Sequence, residues 1–465
     1  MTLFEKVSKI LMELISHGYV AYLAGGCVRD MLLNITPHDY DIATSATPEQ
    51  VHCLFPETIM DWSKHGVVFL PWEGNNIEIA TFRKDGVYDD NRHPSSVTFC
   101  DAEQDAKRRD FTINALFYNP FTNEIIDYVG GQEDLKNGII RAVGKPKKRF
   151  KEDPLRMLRA YRFAAKLNFK IDDIPGHSVL SSISKLNFKI DDSTEWPGIS
   201  DNVNLILKVS PERYFQELTK ILLLDKPGDS LSRLKILGLL EYILPEIRCL
   251  DSIHQSFKYH FEDTVFTHIR KMLDRNIIKN EVFIWAILLH DIGKINTYEI
   301  IDHEIHFNGH EHEGKIIAEK ILKRLKTSNE FIEAVCYLVE NHMKFLCVQD
   351  MKKSTLKKFL RHKDFNLLLE LHKLDCICSN GDLSNYYYCL SKLETLKFEP
   401  EKLHPIPLIN GNDLKDLGFI PGPIFKEILN EIENKQLDEE IITKEEAIEH
   451  IMKNKIRYIY KSVKI

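Results

Sequence analysis

The sequence predicts an α+β protein, a mixed α/β head followed by a mostly helical remainder. Short apolar runs alternate with helical patterns over residues 1–145, the pattern of a small sheet flanked by helices. Beyond about Phe150, amphipathic helical patterns continue to the C-terminal region. The length of 465 residues agrees, because one domain per roughly 100–200 residues gives two to four domains.

The elements follow in order. Leu3–Ile15 places apolar residues at helical spacing and predicts a first helix. Tyr19–Leu23 predicts a short strand ending at Gly25-Gly26. Val67–Leu70 and Ile77–Phe82 predict further strands, with Asn75-Asn76 as the turn between them. Phe283–Leu289 predicts an apolar helix, and Phe398–Pro407, with three prolines, predicts a linker. The octapeptide KLNFKIDD stands at Lys166–Asp173 and again at Lys185–Asp192. Two copies are too few for a solenoid, so a local duplication in a surface loop is expected.

Apolar residues make up 43% and charged residues 28%, too apolar for disorder and too charged for a membrane-embedded chain. Lys and Arg number 62 against 69 Asp and Glu. The net charge of -7 excludes a basic protein overall but not a basic site. The apolar run Val282–Leu289 has eight residues, where a membrane span needs about 20. No cationic start with an apolar stretch marks a signal peptide. The nine cysteines contain no C-x-x-C, which suits reduced thiols. A cytoplasmic protein without membrane attachment is expected.

The first chemical constellation begins at Gly25-Gly26-Cys27-Val28-Arg29-Asp30. Glycines after a strand let backbone approach a phosphate, and Arg29 could clamp it. Asp39-Tyr40-Asp41 follows. On a strand, positions two apart share a face, so these carboxylates would repel unless a cation joined them. Mg²⁺ suits one or two carboxylates plus phosphates. A solvated D-x-D loop satisfies the same local pattern. Glu78, an acid between Ile77 and Ile79, is either a third carboxylate at the site or an outward strand residue.

Taken together, GGxVRD, D-x-D and a strand acid resemble the nucleotidyltransferase superfamily that includes bacterial-type (class II) CCA-adding enzymes and poly(A) polymerases. The resemblance continues in Arg108–Leu116 (RRDFTINAL), Asp127–Asp134 (DYVGGQED), Glu152-Asp153-Pro154-Leu155-Arg156 and Ser210-Pro211-Glu212-Arg213. It implies an α/β head with a small mixed sheet, then a helical neck and body. It implies that Asp39 and Asp41 hold Mg²⁺, with Glu78 beside them as a catalytic acid. It implies that Asp153 and Arg156 pair with the incoming CTP or ATP in place of a nucleic-acid template. Gly26, Arg29, Arg109, Asp110, Arg159 and Arg162 would contact ribose and phosphates. The segment Thr81–Phe99 resembles the loop that supports the change from C to A addition. Between Arg141 and Lys170 stand eleven basic residues and only two acids, Glu152 and Asp153, a stripe suited to triphosphate and RNA backbone.

The second constellation is histidine-rich, with nine of the 19 histidines between His254 and His342. His290-Asp291 closes the apolar helix. With His268 upstream and Asp375 downstream, the pattern resembles the HD hydrolase superfamily. His310 and His342 fall where binuclear members have further ligands. Neutral imidazoles and carboxylates suit a divalent transition metal or Mg²⁺. His303, His306 and His312 are weaker candidates. Leu408–Ala447 resembles the C-terminal region of HD-containing CCA enzymes.

The resemblance implies four parts: a head at 1–145, a nucleotide- and RNA-binding neck and body at 146–250, an HD domain at 251–395 and a helical tail at 396–465. The implied activity is two-metal addition of CCA to tRNA 3′ ends from CTP and ATP, releasing pyrophosphate, with phosphodiesterase or phosphatase activity at the HD site as an addition. Two alternatives stay open: a poly(A) polymerase or A-adding enzyme of the same family, and a mainly hydrolytic HD phosphodiesterase with an RNA-binding head.

Overall fold

The computed structural model describes residues 2–86, 96–171, 203–255 and 264–462. The chain divides into two compact units, residues 1–248 and 249–465.

The first unit opens with helix α1 (Leu3–Ser16), which starts at a reciprocal cap. Thr2 Oγ1 accepts from the Glu5 amide, and Glu5 accepts from the Thr2 amide. Val7, Ile10, Leu11 and Leu14 recur at helical spacing and are buried. A six-stranded mixed sheet follows, built from β1 (Ala21–Ala24), β2 (Asp41–Thr44), β3 (Val67–Trp72), β4 (Asn75–Thr81), β7 (Phe117–Asn119) and β8 (Glu124–Ile126), in the order β3-β4-β2-β1-β7-β8. Strands β5 (Arg83–Asp85) and β6 (Val97–Phe99) form a separate hairpin. β2 is antiparallel to β1 and parallel to β4.

Register decides what the sheet's two faces do. Leu23, Ile42, Ile79 and Val68 lie side by side across four strands, and pack with α1 into one core. On the opposite face Ala24 is paired with Asp41, and Tyr22 with Ala43. That face carries Ala24 and Ala43 beside Asp41, with Tyr22, Phe82 and Phe117 packed further along it. The Ile42–Ile79 pair puts Asp41 alongside Glu78, one residue earlier on each parallel strand.

Helices complete the unit: α2 (Gly26–Leu32), α3 (Pro48–Leu54), α4 (Ala102–Arg108), α5 (Gly131–Asn137), α6 (Pro146–Glu152), α7 (Leu155–Leu167) and α8 (Pro211–Leu222). Phe111, Ile113, Ala160 and Phe163 share a core that joins the RRDFTINAL segment to α7.

In the second unit, the helix Glu281–Leu289 is apolar on all sides, and Phe283 through Leu289 are buried. Val265–Arg275, Asn329–Asn341 and Phe365–Cys378 pack against it, and His310–Arg324 packs on Asn329–Asn341 and on the turn Ile292–Ile295. Ile409, Leu414, Phe419, Ile428, Ile432, Ile451 and Tyr458 form a further core near the C-terminus.

Three local expectations change. The hairpin turn between β3 and β4 is Glu73-Gly74, because Trp72 pairs with Asn75. Both turn residues have positive φ, 47° and 82°, as a two-residue turn matching strand twist requires. Asp39 is exposed and precedes β2, so Asp39 and Asp41 do not share one strand. The segment 398–407 contains a short helix, Pro400–Leu403. The second KLNFKIDD copy, the end of the first and residues 87–95 of the Thr81–Phe99 segment lie outside the described residues.

Candidate functional site

The head site is built on the face of the sheet opposite α1, where Asp41 pairs with Ala24. Burial pushes the Asp41 carboxyl up to about 7, reinforced by the charges of Glu78 and Asp39 and opposed by Arg109. Glu78 is likewise raised by burial, with Arg83 and Arg109 pulling the other way. A half-buried acid that feels the charge of two more acids is unfavourable as an anion until a cation joins it. The donors are hard carboxylate oxygens, so the set fits a divalent cation that prefers oxygen. The three carboxylates do not gather their oxygens within 4.8 Å of one another, unlike the histidine groups described below.

Arg109 approaches from the other side. It donates to Asp105 Oδ2 at 3.0 Å and to the Asn114 carbonyl at 3.3 Å. Gly25 makes room for it: φ is +77°, and a Cβ there would sit 3.1 Å from Arg109 Nη1. Gly26 begins α2, a helix of seven residues. Arg29 is buried and engaged at all three nitrogens, with Asp30 Oδ1 at 2.8 and 2.6 Å and Asn114 Oδ1 at 2.7 Å. These bonds use three of its five N–H donors, so contact with a phosphate would draw on the second hydrogen of Nη1 or Nη2.

The neck residues form a chain of ion pairs. Arg159 donates twice to Asp110 Oδ2, at 2.9 and 2.7 Å. Burial would raise the Asp110 carboxyl, but the Arg159 charge outweighs it and holds the group below its ordinary value. Arg162 donates to Glu217 Oε2 at 2.6 Å, and Arg159 also lies 3.5 Å from Glu217. Arg156 donates to Glu152 Oε2 and to the Arg149 carbonyl, each at 3.0 Å. Arg149 ties the carbonyls of Arg108 and Arg109 to α6. Asp153 is held by both Nη atoms of Arg213, at 3.2 and 2.8 Å.

Sequence reasoning missed Glu217, Arg149 and Asn114 as site-building residues and gave Arg213 no role. Arg213 and Glu217 are four apart on α8, a same-face spacing that was readable. Their partners, 60 and 55 residues away, were not.

In the second unit the six predicted ligands come together as two groups, His268–His290–Asp375 and Asp291–His310–His342. Within each, the ligand atoms lie within 4.8 Å of one another. They come from five helices or helix ends. The Nδ1 atoms of His290, His310 and His342 lie 2.9, 2.8 and 2.6 Å from the carbonyls of Ile287, Phe307 and Val339. Carbonyls accept only, so each Nδ1 carries a proton, and in the neutral ring each Nε2 presents a lone pair. Yet His310 Nε2 and His342 Nε2 are 3.2 Å apart, both near Asp291 Oδ1 at 3.4 and 3.9 Å. Among the described residues His290 Nε2 is buried without a hydrogen-bond partner, although Asp291 Oδ2 lies 3.3 Å away. Lone pairs and a carboxylate facing each other in a buried space fit a cation at their centre. Burial, then His290 and His310, push His342 down to about 3, so it is neutral at physiological pH. His268 Nε2 is 3.0 Å from Asp375 Oδ1.

Lys294 is buried and donates to Asp291 Oδ2 and Gln255 Oε1, each at 2.8 Å. Gly293 permits the close approach of the next helix: a Cβ there would meet the His310 carbonyl at 2.0 Å. His303, His306 and His312 belong to neither group.

A mixed sheet carrying an acid pair, followed by an arginine-rich neck helix, fits the nucleotidyltransferase class. The comparisons agree. Residues 21–141 match the family described as "Poly A polymerase head domain". Residues 187–250 match "Probable RNA and SrmB- binding site of polymerase A". Residues 312–452 match a domain 2 of tRNA nucleotidyltransferases. The CCA-adding enzyme of Ligilactobacillus salivarius is 33% identical over 456 residues, 96% of this chain and 95% of the relative. That of Streptococcus thermophilus is 32% identical over 447 residues, with the same two shares. The Bacillus stearothermophilus CCA-adding enzyme, solved in complex with CTP, superposes with a TM-score of 0.66 at 26% identity, covering 99% of this chain and 100% of that one. The chain belongs to the CCA-adding enzyme family. It is a divalent-metal-dependent nucleotidyltransferase. No described helix is long and apolar enough to cross a membrane.

Proposed function

We propose that, in this CCA-adding enzyme, Asp39, Asp41 and Glu78 form the catalytic centre, with Asp39 and Asp41 holding Mg²⁺. Asp41 supports this most directly: its half-buried carboxyl is pushed up to about 7 by desolvation and by the charges of Glu78 and Asp39. Mg²⁺ bound there would activate the tRNA 3′-hydroxyl and neutralise charge on the nucleotide phosphates. The relatives are named for CCA addition, and CTP is bound in the related solved enzyme, so the substrates are tRNA, CTP and ATP. Arg109, already close in charge to Asp41 and Glu78, is placed to meet the triphosphate. Asp153 and Arg156 read the base edge. Arg159 and Arg162 face ribose and phosphates through the lattice with Asp110 and Glu217, and Gly26 and Arg29 line the turn beneath. The four-part division at 145, 250 and 395 goes with this reading, as does the cytoplasmic location where tRNA is matured.

A second reading concerns the histidine groups. His268, His290, Asp291, His310, His342 and Asp375 would hold one or two divalent ions of an HD phosphohydrolase, a transition metal or Mg²⁺. The opposed Nε2 lone pairs of His310 and His342 favour it.

One reciprocal experiment tests both. Asp41→Ala should abolish CTP and ATP incorporation into tRNA lacking CCA while leaving hydrolysis of a 2′,3′-cyclic phosphodiester intact. Asp291→Ala should do the reverse. Full incorporation by Asp41→Ala refutes the metal assignment in the head. Absence of hydrolysis in every metal tried refutes the second reading.

A further inference from the structure

We infer that Arg213 is a specificity-determining positioning residue, which aims the Asp153 carboxylate at a base amino group. The inference rests on the assignment of Asp153 as a base reader. An ionised carboxylate offers about four acceptor sites, two on each oxygen. Among the described residues, Oδ1 accepts from the Leu155 amide at 3.2 Å and from Arg213 Nη1 at 3.2 Å. Oδ2 accepts from Arg213 Nη2 at 2.8 Å. One acceptor direction, on Oδ2, is left.

The fork matters because it is planar. A bidentate guanidinium fixes the plane of the carboxylate as well as its charge. Both side chains are largely shielded, with exposures of 19% and 14%, so water competes weakly for the pair. The remaining lone pair therefore has one direction. Cytosine N4 and adenine N6 donate at that edge, whereas the O4 of a uracil-type base and guanine O6 only accept. A fixed acceptor takes the first two and repels the others. Without Arg213, the carboxylate loses its fixed plane, and it can turn away from a mismatched carbonyl. Arg213 sits on α8, whereas Asp153 precedes α7, so discrimination depends on the seating of one helix against the other.

The test is single-nucleotide addition to tRNA lacking CCA, by the full chain with Mg²⁺, comparing CTP with UTP. Arg213→Ala should lower the CTP/UTP ratio of kcat/KM by about tenfold or more, chiefly through KM for CTP. Arg213→Lys, a point charge without a fork, should recover part of the ratio, and Arg213→Gln serves if the alanine variant does not fold. An unchanged ratio in Arg213→Ala, where Asp153→Ala alters it, overturns the inference, as does an equal loss of kcat for both nucleotides with only a lower unfolding temperature. If Asp153→Ala itself leaves the ratio unchanged, Asp153 is not the base reader and that underlying assignment has failed.

Discussion

Glu217→Gln is the sharpest probe of the neck, because it removes one charge and almost no volume. Glu217 is 4% exposed and binds Arg162 at 2.6 Å and Arg159 at 3.5 Å. Hydrogen bonds to charged groups contribute about 1.5–3 kcal/mol, and breaking a buried ion pair costs about 3–5 kcal/mol. Glutamine still accepts one hydrogen bond, and Arg159 keeps Asp110, so the cost should fall near 2–3 kcal/mol. For a unit of 248 residues, about 2–4 °C per kcal/mol gives roughly 4–12 °C of unfolding temperature. The chain has two units, so one calorimetric transition need not report both. Hydrogen exchange of α7 amides reads the first unit alone. The double variant Glu217→Leu/Arg162→Met should recover more than half of the loss, because neither partner is left alone. A loss below about 1 kcal/mol in Glu217→Gln, or a double variant no better than the sum of the singles, refutes the buried-pair argument.

Two further outcomes follow from the geometry. Gly293→Ala should force the helix that begins at His310 away from His290-Asp291, since the new Cβ would overlap its backbone. Overpacking of this kind costs about 1–3 kcal/mol; calorimetric titration with Mn²⁺ should show weakened binding, and wild-type affinity would contradict the assigned groups. Asp110, held below the ordinary carboxylate value by Arg159 against its burial, contributes stability that is present above about pH 4 and is lost as pH falls through its lower folded value. Acid unfolding of the first unit, followed by α7 amide exchange, should therefore be shallower in Asp110→Asn, and an identical acid limb would contradict this.

The site residues were legible where chemistry constrains neighbours in sequence. Asp41 and Glu78 were readable because an acid among strand residues is conspicuous, and the parallel register of β2 and β4 then brings the two together. The six histidine-site residues were readable as a set, although His268 and Asp375 are 107 residues apart. What was not readable is which charges neutralise which. The chain holds 69 acids, and nothing local to Arg162 singles out Glu217. The misplaced turn has a similar cause. Asn75-Asn76 carries turn-forming side chains, but Glu73-Gly74 wins because β4 gains two paired residues when the turn comes earlier.

The basic stripe from Arg141 to Lys170 resolves into two populations. Its five arginines all have acidic partners: Arg141 with Asp134, Arg149 and Arg156 with Glu152, Arg159 with Asp110 and Glu217, Arg162 with Glu217. Its six lysines, Lys145, Lys147, Lys148, Lys151, Lys166 and Lys170, are exposed. The division follows from the side chains. A planar guanidinium satisfies a partly buried carboxylate with two bonds, whereas a strongly hydrated ammonium loses more on burial and stays in water. A count of basic residues therefore overstates what is offered to a polyanion. The arginines hold α7 and its neighbours in shape, and the lysines supply the charge that reaches solvent. A net charge of -7 is compatible with RNA chemistry for that reason. The acids that make the chain negative include Asp110, Glu152 and Glu217, which hold the arginines in place, so removing negative charge there would loosen the neck rather than strengthen its grip on RNA.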